Sequence, residues 1–479
     1  MAFIIYDIIL LIIFAVFMSI FLYLNRKNLR KEGLLLLYKA DWGIKLINYV
    51  GNKYKKTLRV LSYISIALGY VLMVSMIYLF GKIVYLYITS PQIVKAVKVP
   101  PIMPLIPYLP QAFNLNFLPP FYFTYWIIII ALIAITHEFA HGIFAAYNKI
   151  KIKSTGFGFF PFFLPIFLAA FVELDEKKMS HKKKLPQMAI LSAGTFANIL
   201  TAIFFFIVLW AFFSLAFVPS GITFDSYASS SVAIASISSI NGISLQDKDY
   251  ENILSLANES GLNEIKSNGR EYLATKEILE MQKQNTENIS LYDSAPAINA
   301  GLLGAIIEVN GIGVSKITDF QRELLKNSPG ENIAIKTKIE GEVLEYEIIL
   351  EEHPEIKNTP WLGIGFVEQK SSGVIGKMYM ALSSFKEPNV YYEPKYDGFS
   401  LFIYNLLWWI ILISMSVALV NMLPVGIFDG GRFFYLTILG ITGSEKKAKK
   451  TFSFATYLFL FLLFLIMIFW VFSVIYPIL

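Results

Sequence analysis

The chain has 479 residues, 56% of them hydrophobic and 16% charged, with a mean hydropathy of +0.58. That is too apolar for a purely soluble protein, and the absence of cysteine excludes disulfides, thiolate metal sites and thiol catalysis together. A net charge of +6 would suit nucleic acid, but the Lys and Arg residues gather in short loops between apolar runs, where positive-inside orientation accounts for them without such a partner.

Six apolar runs reach the roughly 20 residues that a bilayer-spanning helix needs. They lie near residues 3–24, 60–88, 121–147, 186–218, 400–420 and 452–477, and a polar segment of ordinary globular composition, about 220–395, separates the fourth from the fifth. The first run lacks a basic leader and a small-residue cleavage site and is read as a retained anchor. Residues 26–59 (RKNLRK, KYKKTLR), 149–184 (KIKIK, HKKK) and 445–450 (EKKAKK) are lysine-rich, which places them in the cytoplasm. The Pro-rich stretch within 89–120 carries few charges and is placed outside, as are both termini and the large polar segment. "LLLLYKADWGIKLINYVGNKYKKTLR", residues 34–59, suits either a helix lying in the inner interface or a second helix packed as a helical hairpin.

The third run ends in "ITHEFAHGIF". Residues four apart stack on one helix face, so His137 and His141 can reach one cation while Glu138 sits beside them as a general base; this is the H-E-x-x-H arrangement of zinc hydrolases. The other two histidines, His181 and His353, stand in polar loops and are read as solvated. If the third run enters from outside near Tyr122, His137 lies about 22 Å along the helix, within the membrane and nearer its cytoplasmic face. A glutamate at that depth needs a reason. Zinc needs a third protein ligand, and Asp429 in "NMLPVGIFDGGR" is the remaining acidic residue beside a deep apolar segment after the polar region. Pro424, Gly426, Gly430 and Gly431 break the helix there, and irregular backbone at membrane depth is tolerated only inside protein or beside a wet cavity.

Residues 153–178, "KSTGFGFFPFFLPIFLAAFVELDEKK", are apolar but interrupted by Gly156, Gly158, Pro161 and Pro165, so a spanning helix is not expected. In the polar segment, residues 294–350 give a small-residue turn, a strand near Ile306–Val309, an Asn310-Gly311 turn, a helix near Ile317–Leu325 and strands about Gly341. This order resembles a PDZ domain of the kind found in membrane-associated proteases, with a peptide groove expected beside Ala300-Gly301-Leu302, where backbone N–H groups would capture a carboxylate or a peptide edge. "IASISSINGISL", 234–245, echoes "AIIEVNGIGV"; it is either a second copy with an insertion at 246–293 or an unrelated strand.

Taken together, H137-E-F-A-H141 and N421-x-x-P424-x-x-x-x-D429-G430 resemble the paired signatures of the site-2 protease family of intramembrane zinc metalloproteases, and Gly194-x-x-x-Asn198 in "SAGTFANIL" resembles that family's G-x-x-x-N segment. The resemblance implies one Zn2+ per chain held by His137, His141 and Asp429, with Glu138 activating water. It further implies that Asn198, Asn421, Gly194 and Pro424 line the active site, and that residues 153–178 form a membrane-dipping β-hairpin. The expected fold is a polytopic α-helical membrane protein of about six spans with an extracytoplasmic PDZ-like α+β domain between the fourth and fifth. Its parts are residues 1–59 (first helix and basic interfacial segment), 60–219 (membrane core), 220–375 (PDZ-like, one or two copies), 376–399 (linker) and 400–479 (membrane core). The expected activity is regulated intramembrane proteolysis of transmembrane segments, with membrane-protein substrates, lipid bilayer and a peptide or substrate ectodomain as partners and no nucleic acid. The alternative is a catalytically inactive PDZ-bearing membrane adaptor.

Overall fold

The computed structural model describes all residues except 1, 33–34, 92–93, 95–98, 116, 160–167, 248, 283–286, 340, 367–379, 381–382 and 476–479. The chain divides into two compact units, Met1–Phe212 with Leu401–Leu479, and Phe213–Ser400.

The first unit runs α1 (Ala2–Leu24), β1 (Leu29–Glu32), β2 (Leu35–Ala40), α2 (Ile44–Lys53), α3 (Lys55–Thr89), α4 (Phe123–Tyr147), β3 (Ile152–Phe159), β4 (Leu168–Leu174), α5 (Glu176–Ser180), α6 (Lys184–Ala216), α7 (Asp397–Asn421), α8 (Asp429–Thr442) and α9 (Glu445–Trp470). Six of these helices, α1, α3, α4, α6, α7 and α9, are long and apolar enough to cross a membrane. Most of their side chains are apolar, because a polar side chain without a partner is costly in hydrocarbon. Around the H-E-x-x-H helix the core is close-packed by Phe144 and Ala145 of α4, Ile190 and Ala193 of α6, Ala418 of α7 and Phe433 of α8, with Met422 just beyond α7. The far end of α4 packs through Phe123, Tyr125 and Trp126 against Trp409 of α7.

The stretch 34–59 is neither one interfacial helix nor a hairpin of helices. Its first part is a strand, β2, because a strand partner is at hand: β1 to β4 form one antiparallel sheet in the order β1-β2-β3-β4. Its second part, α2, follows a break at Gly43 (φ +81°). The strands β3 and β4 pair from Ile152↔Leu174 to Phe159↔Leu168, with Gly156 set where a Cβ would stand 2.0 Å from the carbonyl oxygen of Tyr38. Pro161 and Pro165 lie outside the described residues. One carboxylate ties three strands: Glu173 of β4 accepts from Lys39 Nζ of β2 at 2.6 Å and from Ser154 Oγ of β3 at 2.7 Å. The end strand β4 then lies along α4.

The second unit is β-rich and repeats one pattern. Strand Ile237–Ile240, an Asn241-Gly242 turn, Ile243–Ser244, helix Tyr250–Ser255 and the hairpin Asn263–Ser267 with Arg270–Ala274 come first. Strand Ala305–Val309, an Asn310-Gly311 turn, Ile312–Gly313, helix Ile317–Leu324 and the hairpin Asn332–Ile339 with Glu342–Ile349 come second. Both asparagines take the left-handed backbone (φ 49° and 47°) that a tight two-residue turn requires. Each amide donates to the carbonyl across the sheet, Glu264 or Ala334, at 2.8 Å, and each Oδ1 accepts that same residue's N–H, at 3.1 and 2.9 Å. Much of the stretch 246–293 is therefore the helix and hairpin of the first copy. Each copy contributes to its own six-stranded sheet and buries its own apolar core.

Candidate metal centre

The chain brings His137, His141 and Asp429 together. On α4 the two histidines follow one another by one turn, and both are buried. Their Nε2 atoms stand 3.0 Å apart, and Asp429 Oδ2 lies 3.4 and 3.2 Å from them. Among the described residues these three form a cluster of metal-ligand type, their ligand atoms within 4.8 Å of one another. Asp429 reaches the histidines because α7 stops at Asn421 and the chain folds back through Met422–Phe428 before α8 begins. Two glycines permit that fold: a Cβ on Gly430 would stand 2.4 Å from the Met422 carbonyl carbon, and one on Gly431 2.3 Å from the Val425 carbonyl oxygen. Pro424 is buried inside this turn.

The surroundings fit a cation in three ways. His141 Nδ1 lies 2.6 Å from the Ile190 carbonyl; a carbonyl only accepts, so the proton sits on Nδ1 and the Nε2 lone pair faces the cluster. Asn198 on α6, fully buried, stands with its carboxamide Nδ2 3.0 Å from His137 Nδ1, while its Oδ1 is buried without a partner. Turning the carboxamide over exchanges the two atoms, brings Oδ1 to Nδ1–H and sets His137 in the same tautomer, with Nε2 free to bind a metal. Gly194, one turn before Asn198, leaves the space: a Cβ there would stand 2.4 Å from His141 Nε2 and 2.5 Å from His137 Nε2.

Glu138 projects beside the cluster and accepts the Val172 N–H of β4 at 3.0 Å. A polar cavity of about 190 Å3 joins His137, Glu138, His141 and Asp429 to Glu176 and Met179 of α5, and Glu176 is ion-paired with Arg432 of α8. A second cavity, about 260 Å3, opens on the other side of His137 and Glu138 and includes Asn421. His181 and His353 take no part in the cluster and serve local turns, donating to the Lys177 carbonyl and accepting the Glu355 and Ile356 amides respectively.

Gly301 and Leu302 lie in the second unit. Leu302 is buried in the core, and the two amides already donate to the Ile298 and Ala297 carbonyls. These two donors close the turn itself.

Sequence reasoning missed Asp7. This aspartate of α1 is buried, accepts the Phe123 and Thr124 amides at 2.7 and 2.9 Å and the Tyr108 hydroxyl at 2.6 Å, and also bonds the Thr124 hydroxyl. It caps the start of α4 from another helix. Its signal was a lone acid in a run otherwise free of charge.

The pattern that defines peptidase family M50 matches residues 125–466. The chain belongs to peptidase family M50. With His137, His141 and Asp429 all present, the metal-ligand set of a zinc metalloprotease is intact. Over 184 residues the chain is 26% identical to the zinc metalloprotease RasP of Shouchella clausii, covering 33% of this chain and 44% of that protein. Over 78 residues it is 47% identical to an uncharacterized protein, MJ0971, of Methanocaldococcus jannaschii, covering 16% of this chain and 20% of that one. The matches span less than half the length of either curated relative. The first helix and its Asp7 precede the matched region.

Proposed function

We propose that the chain is a zinc-dependent endopeptidase that cuts within or beside the membrane-spanning segments of other membrane proteins. The observation that carries this is the cluster in which Asp429, at the start of α8, meets His137 and His141 of α4 with Glu138 alongside, α4 being a helix long and apolar enough to span a bilayer. A zinc ion held by the three would polarise a scissile carbonyl and acidify a water. Glu138, held by the Val172 amide, accepts the proton of the attacking water at its free carboxylate oxygen and returns it to the leaving amine. Asn421, in the cavity with Glu138, would donate to the developing oxyanion. Asn198 orients His137 through Nδ1. An intact set of base and ligands favours this reading over the adaptor.

The lysine-rich loops support an orientation with both termini and the second unit outside the cytoplasm, and the cluster nearer the cytoplasmic face. The repeated strand, turn, helix and hairpin of the second unit support a PDZ-like pair that screens substrate ectodomains or peptides. The outer edge of β4, beside Glu138, suits pairing with a locally unwound substrate.

The test is Glu138→Gln in the purified full-length chain. It should retain about one zinc per chain and lose cleavage of membrane-protein substrates by a factor of about 100 or more; cleavage at the wild-type rate would refute the mechanism.

A further inference from the structure

Of the two cavities that meet at His137 and Glu138, the larger, about 260 Å3, is apolar along most of its length. Its floor is α4. Ala134 lies three residues before His137 and four before Glu138, so its side chain shares their face one turn away, with Ile130 a further turn back. Ile413 and Val417 of α7 form the facing wall, one turn apart, and Asn421 follows them by one more turn. The third wall is β4 at Ala169 and Ala170. The polar side chains lining the cavity, His137, Glu138 and Asn421, belong to the catalytic group, while three alanines keep it wide. A charged or amide side chain entering there would find no partner beyond the groups that perform the reaction.

We propose that this cavity is the side-chain pocket that selects the bond to be cut. It takes one bulky aliphatic or aromatic residue next to the scissile bond, and Ala134 sets its depth as a specificity-determining residue. The proposal rests on the peptidase reading above and adds the class of residue recognised. The strand beside the cavity supports it. Val172 points its N–H at Glu138, and Ala170, two residues earlier on the same strand, turns its backbone to the same side. An extended peptide lying along that edge presents every second side chain to one face, so each placement of a peptide bond at Glu138 puts one defined side chain at the cavity. Pockets of this kind discriminate by size and polarity together.

The test uses the zinc-loaded full chain in detergent and four peptide hydroxamates that differ only in the side chain next to the metal-binding group: Leu, Phe, Ala and Asp. The Leu and Phe compounds should bind at least about tenfold more tightly than the Ala compound, and the Asp compound most weakly. Ala134→Phe should bring Leu and Phe to within about twofold of Ala, with zinc content unchanged. Val417→Trp, which fills the cavity from the opposite wall, replaces it if Ala134→Phe does not hold zinc, and the wild-type affinities decide alone if neither does. Equal affinities in the wild type, no binding by a zinc-loaded chain, or a preference that survives in a folded variant overturns the pocket. A wild-type chain that takes up no zinc overturns the peptidase reading itself.

Discussion

Gly194 shows how small a change separates a metal-binding helix bundle from an inert one. A Cβ at that position would stand 2.4 and 2.5 Å from the two Nε2 atoms, about the place an ion would take at a zinc–nitrogen distance of about 2.0–2.1 Å. Gly194→Ala should therefore push the two imidazoles off their places, and zinc measured by atomic absorption on the folded chain should fall from about one per chain towards none. A variant that keeps its zinc would show that α6 shifts to make room. At this scale the sequence was informative where spacing alone carries geometry: His137 and His141 are one turn apart on any helix. It also pointed to Asp429, since an acid beside a broken apolar helix has few other uses. It was silent on Gly194's contact with the imidazoles, on the Ile190 carbonyl that fixes His141 and on the Val172 amide that holds Glu138, because each depends on which helix or strand face meets which.

At the scale of elements, two polar ties outside the metal centre hold neighbours of α4 in place. Glu173 binds Lys39 and Ser154, and the Lys39 hydrogen bond in the first place holds its carboxyl below the ordinary value of 4.5. A carboxyl lowered in the folded state stabilises the sheet at every pH above the unfolded value and loses that contribution as pH falls through the folded one. The tie should thus be complete at neutral pH and released only in acid, below the ordinary carboxyl value of 4.5. Lys39→Ala should raise the Glu173 titration, followed by isotope-edited infrared or NMR, towards its ordinary value; an unmoved titration would leave Ser154 and Lys153 as the effective partners. The second tie is Asp7. Removing it leaves the Phe123 and Thr124 amides without their acceptor, and Asp7→Ala should cost about 2 kcal/mol, as a lost helix cap does at its upper end, read as a lower thermal transition in detergent with zinc still bound. Legibility followed the same line here. The six spans stood out because length and hydropathy are local properties, but β1 and β2 did not. "LLLYKA", residues 35–40, has no strand alternation of its own and becomes a strand because β3 lies beside it.

For the whole molecule, the absence of cysteine turns a limitation into a means of measurement. Single cysteines can be placed at exposed sites without background, and the orientation drawn from the lysine-rich loops then makes a two-sided forecast. In intact cells a membrane-impermeant maleimide should label Ser260→Cys in the second unit at once and Ser180→Cys in α5 only after permeabilisation. The reverse pattern would invert the topology and place the polar cavity outside. The repeat in the second unit was half visible in the sequence, through its two Asn-Gly turns. What hid it was the different length and polarity of the segments between matching elements, which the paired hydrogen bonds of Asn241 and Asn310 override.

The cap from α1 also bears on how the protein is made. Asp7 leaves the ribosome 117 residues before Thr124, the last of its partners. At a synthesis rate of about 5–20 residues per second, roughly 6–23 s pass in which the carboxylate has been delivered to the bilayer and the amides it serves do not yet exist. For that interval its hydrogen bonds must come from water and lipid headgroups, which favours holding its end of α1 at the membrane surface until α4 arrives to claim it. Insertion of the first helix is then finished by the third, and a ribosome stalled between them would leave α1 only half committed to its place.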